Sequence, residues 1–274
     1  MKHEPFQPMT SQILTIEPWK EKFTHIEAGF TSRAGGSGSG PYDSLNLALH
    51  VGEDPEKVAV NRKIIGDITG FPVNSWVASN QVHGSDIKKV SHKDAGKGSV
   101  SLEDSAGDAD GLYTTEQNLF LVSFYADCVP LYFTAPKQGV IGLAHAGWRG
   151  TAANIAAEMV TLWSKEEQVK AEDIYVAIGP SIGPRAYEVD DHVVNELKKV
   201  LSPDRQSGWQ ETTQGKYQLD LKEVNKQLLL EAGVDEDHIV ISNYCTYKED
   251  TLFFSHRRDQ GTTGRMMSFI VKTQ

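Results

Sequence analysis

The chain of 274 residues has 39% apolar residues and a formal net charge of −10, from 27 Lys and Arg against 37 Asp and Glu. A chain of this length can bury a sizeable core without disulfide bonds, and its 2 Cys disfavour both a disulfide framework and a Cys-rich zinc module. Because the acidic balance also disfavours non-specific nucleic-acid binding, we expect a cytoplasmic protein with small-molecule partners.

Neither an N-terminal targeting segment nor a membrane span is predicted. Residues 1–5 lack the apolar core of a signal peptide, and the most apolar stretch, residues 118–135, is interrupted by Asp127 and Pro130. Residues 32–41, SRAGGSGSGP, are interpreted as a flexible surface loop, because their glycine spacing matches no nucleotide-binding fingerprint. A lid formed by residues 33–41 is the alternative.

Further along the chain, capping signals and periodicity predict both helices and strands. Asp54-Pro55 begins a helix in which apolar residues recur every four positions until Gly70 ends it. The other predicted helices are residues 151–164, 190–201 and 220–232, and the predicted strands are 75–81, 111–114, 119–126, 139–144, 174–178, 238–241, 252–256 and 266–271. Their irregular spacing favours a mixed sheet in an α/β or α+β layered fold. Since no repeat or linker divides residues 1–274, we expect one domain and a monomer.

Three candidate functional residues, His83, Cys128 and His145, each follow an apolar strand-like segment, where sheet proteins collect catalytic side chains. Two His and one Cys form a plausible zinc set with a fourth position open to water. Two alternatives stay open. Cys128 can be a buried small hydrophobe between satisfied histidines, or a nucleophile that His145 activates in a thiol hydrolase. Cys245 is interpreted as structural.

The loop Gly147-Trp148-Arg149-Gly150 leads from His145 into a predicted helix. Exposed amides and the Arg149 guanidinium could therefore bind an anion such as phosphate beside His145. Alternatively, the glycines form a turn and Arg149 pairs with a surface carboxylate. Residues 179–185 leave another strand end and form either a second wall of the pocket or a tight connection.

Other polar candidates lie in short motifs, namely Asn46, Asn61, Arg62, Asp108, Asp110 and Asp127. Near the C-terminus, His256, Arg257, Arg258 and Arg265 concentrate positive charge. In a strand, Arg257 would point away from His256 and Arg258, so only one face of that run can serve a site. Each of these residues can also be a solvated surface charge.

Several motifs occur in an order that resembles one known family: Thr31-Ser32-Arg33 and residues 42–47 (YDSLNL), 81–84 (QVHG), 108–111 (DADG), 126–130 (ADCVP), 145–150 (HAGWRG), 178–182 (IGPSI), 257–259 (RRD) and 264–265 (GR). Over residues 30–269 the chain resembles the YfiH/YlmD family, and it is most similar to the bacillus-type members. This family is often labelled polyphenol oxidase or laccase-domain protein, and is now described as purine nucleoside phosphorylase.

The resemblance implies a single α+β domain of layered α-β-β-α type, similar to the catalytic domain of the cytotoxic necrotizing factors. It also implies zinc bound by His83, Cys128 and His145. The implied activities are phosphorolysis of adenosine, inosine and methylthioadenosine, with adenosine deamination as a companion. The older oxidase label implies copper instead.

The laccase label conflicts with the histidine pattern. Laccases of the cupredoxin type bind several copper ions through paired His-x-His motifs, whereas this chain has 9 His and no such pair. Multicopper chemistry is therefore disfavoured, although one Cys and two His could bind copper. The combined His-x-Glu and Pro-Cys-x-x-Cys signature of zinc deaminases is also absent, so any deamination would be convergent.

We therefore predict a zinc-dependent purine nucleoside phosphorylase in which His83, Cys128 and His145 bind the metal and act in catalysis. Asp127 or a nearby histidine is expected to handle protons. The predicted substrate- or phosphate-binding residues are Arg149, Asn46, Gln81 and Arg265. The competing hypotheses are a Cys128–His145 thiol amidohydrolase, a copper-dependent polyphenol oxidoreductase, and a non-catalytic metal or nucleoside binder.

Overall fold

The computed structural model describes residues 3–274, which form fifteen strands and six α-helices. The strands are β1 Phe6–Pro8, β2 Ile13–Ile16, β3 Ile26–Thr31, β4 Trp76–Val77, β5 Ile87–Lys89, β6 Gly111–Thr114, β7 Phe120–Tyr125, β8 Val129–Ala135, β9 Val140–Ala146, β10 Tyr175–Ile178, β11 Glu188–Asp190, β12 Trp209–Thr213, β13 Lys216–Leu219, β14 Ile239–Ile241 and β15 Met266–Lys272. The helices are α1 Glu17–Lys22, α2 Pro55–Thr69, α3 Trp148–Ala152, α4 Ile155–Glu166, α5 Asp191–Val200 and α6 Leu221–Glu231. Among these residues, no helix is long and apolar enough to cross a membrane.

The strands form two six-stranded mixed sheets and one small three-stranded sheet. The first large sheet has the order β1-β2-β3-β15-β7-β4, and only β4 and β7 pair in parallel. The second has the order β14-β10-β8-β9-β6-β5, with parallel pairing at both edges. The small sheet has the order β11-β13-β12. The expected mixed α+β fold is therefore confirmed, with two large sheets in place of the single one that the strand pattern suggested.

The two large sheets pack face to face over an apolar core. Phe30 and Leu121 of the first sheet belong to the same buried cluster as Tyr132 and Leu143 of the second, and the Tyr132 hydroxyl donates to the Gly29 carbonyl across the interface. Helix α2 covers the outer face of the first sheet, while α4, α5 and α6 cover the outer face of the second. The layers thus run α-β-β-α; the similarity to the cytotoxic necrotizing factors stays a prediction.

Burial on both faces explains why the central strands are uniformly apolar. All six residues of β7, with the sequence FLVSFY, are buried, because one face meets the second sheet and the other meets the α2 layer. Local signals set the helix ends. The Asp54 carboxylate accepts a hydrogen bond from the Glu56 N–H, and Gly70 ends α2 with a φ of 74°.

Three element predictions need correction. Only Trp76–Val77 of residues 75–81 is a strand; Ser75 ends the short 3-10 turn before it, and residues 78–81 lead to His83. Residues 252–256 form no strand: their backbone is irregular between two turns, and the Phe253 N–H donates to the Glu249 carbonyl. The helix expected at 151–164 is divided into α3 and α4 at Asn154, which has a φ of 59° and caps α4 through the Ala157 N–H.

Candidate functional site

The chain positions His83, Cys128 and His145 at the places where strands end. His83 lies in the loop that leaves β4 of the first sheet for β5 of the second, and Cys128 lies in the turn from β7 to β8. His145 is in the last part of β9, whose pairing with β8 brings Ala146 opposite Val129. As a result, one ligand atom from each of the three residues lies within 4.8 Å of the others. The structure therefore brings the predicted ligand set together.

A buried carboxylate contacts both histidine segments. Asp110 Oδ1 lies 2.8 Å from His145 Nδ1, which leaves Nε2 as the ring nitrogen available to a metal. Asp110 Oδ2 accepts hydrogen bonds from the N–H groups of Val82 and Gly84 at 3.1 and 2.7 Å. The two imidazole rings cross edge to face with centroids 4.9 Å apart. From the sequence, Asp110 was one of several polar candidates, and no contact with the two histidine segments was predicted for it.

The space beside the three ligands suits a bound metal ion. A Cβ on Gly147 would lie 3.0 Å from Cys128 Sγ, 3.4 Å from His83 Cδ2 and 3.8 Å from His145 Cε1. Glycine at this position therefore keeps the cluster accessible. Two imidazole nitrogens and one thiolate are a donor set that zinc and copper both accept, so these residues fit a metal whose identity the donor set does not specify.

The electrostatics of the cluster favour the thiolate form that binds metals. Burial alone would raise the pKa of the Cys128 thiol, but His145 and His83 outweigh this effect and hold the pKa well below its usual range. Burial would likewise lower the pKa of the His145 imidazole, yet the Cys128 thiolate and Asp110 raise it. A thiolate beside an imidazolium is also the arrangement of an activated thiol nucleophile.

The cluster forms part of the wall of a cavity of about 490 Å³, a volume typical of small-molecule sites. Among the described residues that line it, the arginines are Arg149, Arg257 and Arg265, and Asp127 is the one carboxylate. The flat walls come from Phe124, Trp148 and Tyr187, and two further histidines, His50 and His256, also line it. Apart from Trp148 and His256, sequence reasoning did not single out these aromatic and histidine residues, since each is a common core or surface type.

Two predicted substrate residues, Arg149 and Arg265, do line the cavity. Arg149 is exposed, and its guanidinium lies over the Trp148 ring, 4.5 Å from the ring centroid. Arg265 is partly buried and donates through Nη1 to the carbonyls of Thr263 and Gly264. Both guanidinium groups therefore keep donors that can face an anion.

Two other predicted substrate residues, Gln81 and Asn46, use their amides within the protein. Gln81 lines the cavity, but it donates to the Phe124 carbonyl and accepts from the Phe124 N–H, at 3.0 and 2.9 Å. Asn46 is fully buried and does not line the cavity; its Oδ1 accepts from the Arg265 N–H, and its Nδ2 donates to Glu53. Asn46 is thus placed behind Arg265, where it holds the backbone of that residue.

Asp127 lines the cavity with a carboxylate that already has three donors. Thr246 Oγ1 donates to one oxygen at 2.6 Å, while Ser255 Oγ and the Arg257 N–H donate to the other at 3.0 and 2.7 Å. This arrangement joins the β7–β8 turn to the segment that carries Arg257. Asp127 therefore has the contacts of a positioning residue, and its predicted role in proton transfer stays a prediction.

The remaining candidates separate into wall residues and supporting residues. Ile182 makes residues 179–185 part of the cavity wall, whereas residues 33–41 do not reach it. Arg258 binds the Asp259 carboxylate and backbone carbonyls, and because 252–256 is no strand, the expected alternation of Arg257 and Arg258 does not apply. Arg62 is buried behind Phe124, with its guanidinium 4.7 Å from the ring centroid.

Comparison with known proteins agrees with the observed fold. Residues 27–273 match the family described as multi-copper polyphenol oxidoreductase laccase. The chain is 51% identical over 248 residues to purine nucleoside phosphorylase YlmD of Geobacillus stearothermophilus, covering 90% of each protein. The crystal structure of YlmD from Geobacillus stearothermophilus matches with a TM-score of 0.97 and 48% identity, over 99% of this chain and 100% of that one.

A second solved structure, of the Bacillus licheniformis hypothetical protein YfiH, matches with a TM-score of 0.95 and 42% identity, over 99% of this chain and 100% of that one. Fold and site together define an α+β protein with a His2Cys cluster that could hold a metal. The chain belongs to the laccase-like family of the YfiH and YlmD proteins, which confirms the family resemblance found in its motifs.

Proposed function

We propose that this chain is a zinc-dependent purine nucleoside phosphorylase that cleaves adenosine, inosine and methylthioadenosine with phosphate, and that it also deaminates adenosine. The observation that carries the proposal is that the His83–Cys128–His145 cluster opens into a cavity with three arginines. The name of the 51% identical relative supports the same activity. We further propose a single-domain, monomeric, cytoplasmic protein that binds neither nucleic acid nor membrane.

Phosphorolysis needs phosphate held beside the anomeric carbon and stabilisation of a cationic sugar in the transition state. Arg149 and Arg257 both line the cavity, and both are close enough to Tyr187 to interact with it electrostatically. We assign phosphate to these two guanidinium groups, because each can donate two parallel hydrogen bonds to phosphate oxygens. Arg265 is assigned to substrate binding because it lines the same cavity.

The purine is assigned to the side of the cavity where Phe124 offers a flat apolar surface, because Arg149 lies over the Trp148 ring and Arg257 over the Tyr187 ring. When bound to the cluster, zinc would supply a Lewis acid within the same cavity. We assign proton transfer to a wall histidine, His50 or His256, because the Asp127 carboxylate is engaged with three protein donors.

The test is a phosphate-dependent assay on adenosine and inosine, combined with metal analysis of the same protein samples. Cys128→Ala is expected to lose the metal and at least about 100-fold of the phosphorolysis rate, since metal-ligand and catalytic roles coincide there. Cys245→Ala is the matched control, because Cys245 is the other free thiol and lies outside the cavity. Ribose 1-phosphate formation that is indifferent to Cys128, or a wild-type protein without metal, would sink the proposal.

Deamination is tested separately by following inosine formation from adenosine without phosphate. The companion activity is expected to depend on Cys128 as well. Deamination that survives in Cys128→Ala, or its absence from the active wild-type enzyme, would remove this part of the proposal and leave the phosphorylase part intact.

A thiol amidohydrolase is the second candidate, favoured by the lowered pKa of the Cys128 thiol beside His145. Alkylation of Cys128 would abolish its activity and chelators would spare it, whereas the phosphorylase should lose activity to a chelator and regain it with zinc. Copper-dependent polyphenol oxidation is less well supported. Within residues 3–274, one group of three or more His, Cys, Asp or Glu is arranged to hold a metal, while multicopper enzymes need several copper sites.

A further inference from the structure

We infer that Asp110 is a positioning residue that holds both histidines of the cluster, and this inference rests on the proposed metal centre. The two carboxylate oxygens have separate tasks. Oδ1 contacts His145 Nδ1, and Oδ2 accepts from the N–H groups on either side of His83, those of Val82 and Gly84. The backbone adds a further link, because the His145 N–H donates to the Asp110 carbonyl at 2.7 Å.

On the His145 side, Asp110 selects the tautomer. An ionised carboxylate can only accept hydrogen bonds, so Oδ1 at 2.8 Å requires the proton on Nδ1 and leaves the Nε2 lone pair for a metal. Asp110 and His145 are only 2% and 3% exposed, so water cannot replace this acceptor if it is lost. A carboxylate behind a metal-binding histidine also fixes the orientation of the ring.

On the His83 side, Asp110 holds an unusual backbone conformation. His83 has a φ of 61°, in the left-handed region that residues with a side chain rarely adopt. Its side chain is exposed, so packing does little to direct it. The two hydrogen bonds to Oδ2 therefore determine where the His83 imidazole points.

Both oxygens of Asp110 must act as acceptors, and asparagine cannot meet this requirement. If the amide nitrogen of Asp110→Asn faces His145, the ring must accept at Nδ1 and carry its proton on Nε2, where the metal should bind. If the nitrogen faces Val82 and Gly84 instead, it opposes two N–H donors and the His83 loop loses its acceptor. Either orientation disables one ligand with almost no change in side-chain size.

The experiment measures zinc affinity of the full chain by competition with a chromophoric chelator, for wild type, Asp110→Asn and Asp86→Asn. Asp86 lies in the same loop and is exposed, and its backbone carbonyl, which accepts from the Asp110 N–H, is unchanged by the substitution. Asp110→Asn is expected to bind zinc about 10- to 100-fold more weakly, and Asp86→Asn within about twofold of wild type. Circular dichroism shows that each variant is folded. Wild-type zinc affinity in folded Asp110→Asn would overturn the inference.

A second measurement does not depend on any variant. In the zinc-bound wild type, nitrogen NMR of labelled histidine should show His145 protonated at Nδ1 and metal-bound at Nε2; the reverse assignment would overturn the inference. Failure of the wild type to bind zinc would refute the proposed metal centre itself. Zinc binding and phosphorolysis that are indifferent to Asp110 would refute only the positioning role.

Discussion

At the scale of single residues, the His83–Cys128–His145 cluster depends on a glycine, Gly147. Gly147 has a φ of −67°, so its backbone conformation does not require glycine. A Cβ there would instead crowd Cys128 Sγ at 3.0 Å and His83 Cδ2 at 3.4 Å. The open space between the ligands, rather than the backbone, therefore requires a glycine at this position.

Gly147→Ala is expected to weaken zinc binding by roughly tenfold, because the methyl group displaces ligands whose placement tunes the metal. Phosphorolysis should fall with it, and the unfolding midpoint should stay near that of the wild type. Gly84→Ala is the matched control. Gly84 follows His83 directly in the chain, and a Cβ on Gly84 would meet nothing closer than 3.8 Å. Equal zinc affinity of Gly147→Ala and wild type would contradict this explanation.

The residues expected to meet substrate show what a sequence can and cannot tell about a site. Arg149 and Arg265 line the cavity. The side-chain amide of Gln81 hydrogen-bonds to the Phe124 backbone, and that of Asn46 hydrogen-bonds to the Arg265 backbone. An amide presents the same donor and acceptor to a ligand as to a peptide group, so its residue type does not distinguish the two roles. The ligand set was predicted because the resemblance to the YfiH/YlmD family implies it; the residues alone left a buried structural Cys128 and a nucleophilic Cys128 open.

At the scale of elements, helix α2 holds the loop of residues 33–41. Asn61 on α2 accepts hydrogen bonds from the Ser37 N–H and hydroxyl, and it donates to the carbonyls of Ser44 and Asn46. A side chain on Gly36 would collide with Asn61 and with the Ser44 carbonyl. The segment is the surface loop that its composition predicts, and Gly36 allows it to contact α2 closely; its flexibility stays a prediction.

Asn61→Ala is expected to lower the free energy of unfolding by about 2 kcal/mol or more, because it leaves several buried partners without a hydrogen bond. The loop of residues 33–41 should then become the first site of limited proteolysis. Lys63→Ala, on the exposed face of the same helix, should change stability by less than about 0.5 kcal/mol. A protected loop in folded Asn61→Ala would show that other contacts hold it.

Elements with local end signals were predictable, and elements defined by tertiary contacts were not. The ends of α2 follow from Asp54, Pro55 and Gly70, which act within a few residues of their own position. Phe253 and Phe254 are fully buried, which explains the strand pattern of 252–256, but their backbone is irregular and pairs with no strand. An apolar sequence indicates that a segment is buried. Whether that segment joins a sheet depends on hydrogen-bond partners elsewhere in the chain.

At the scale of the whole molecule, the candidate site lies where the chain crosses between the two large sheets. His83 lies between β4 and β5, and Cys128 lies between β7 and β8; in each case the first strand belongs to one sheet and the second strand to the other. Asp127, with a φ of 85°, forms the turn next to Cys128 and links it to Thr246, Ser255 and the Arg257 backbone. One carboxylate thus connects the turn that carries Cys128 to the proposed phosphate side of the cavity across more than a hundred residues of sequence.

This arrangement predicts that Asp127→Asn keeps the wild-type affinity for phosphate and that Asp127→Ala binds phosphate more weakly. The amide oxygen of asparagine can accept from Ser255 and the Arg257 N–H, while its nitrogen can donate to the Thr246 hydroxyl, which is free to rotate. Alanine removes all three contacts, so Arg257 should lose its place and the KM for phosphate should rise by roughly tenfold or more, as expected when a positioned anion contact is lost. Steady-state kinetics with varied phosphate measures both effects. A large fall in kcat for Asp127→Asn, with the KM for phosphate unchanged, would instead assign proton transfer to this carboxylate, because asparagine preserves its hydrogen bonds but cannot exchange a proton.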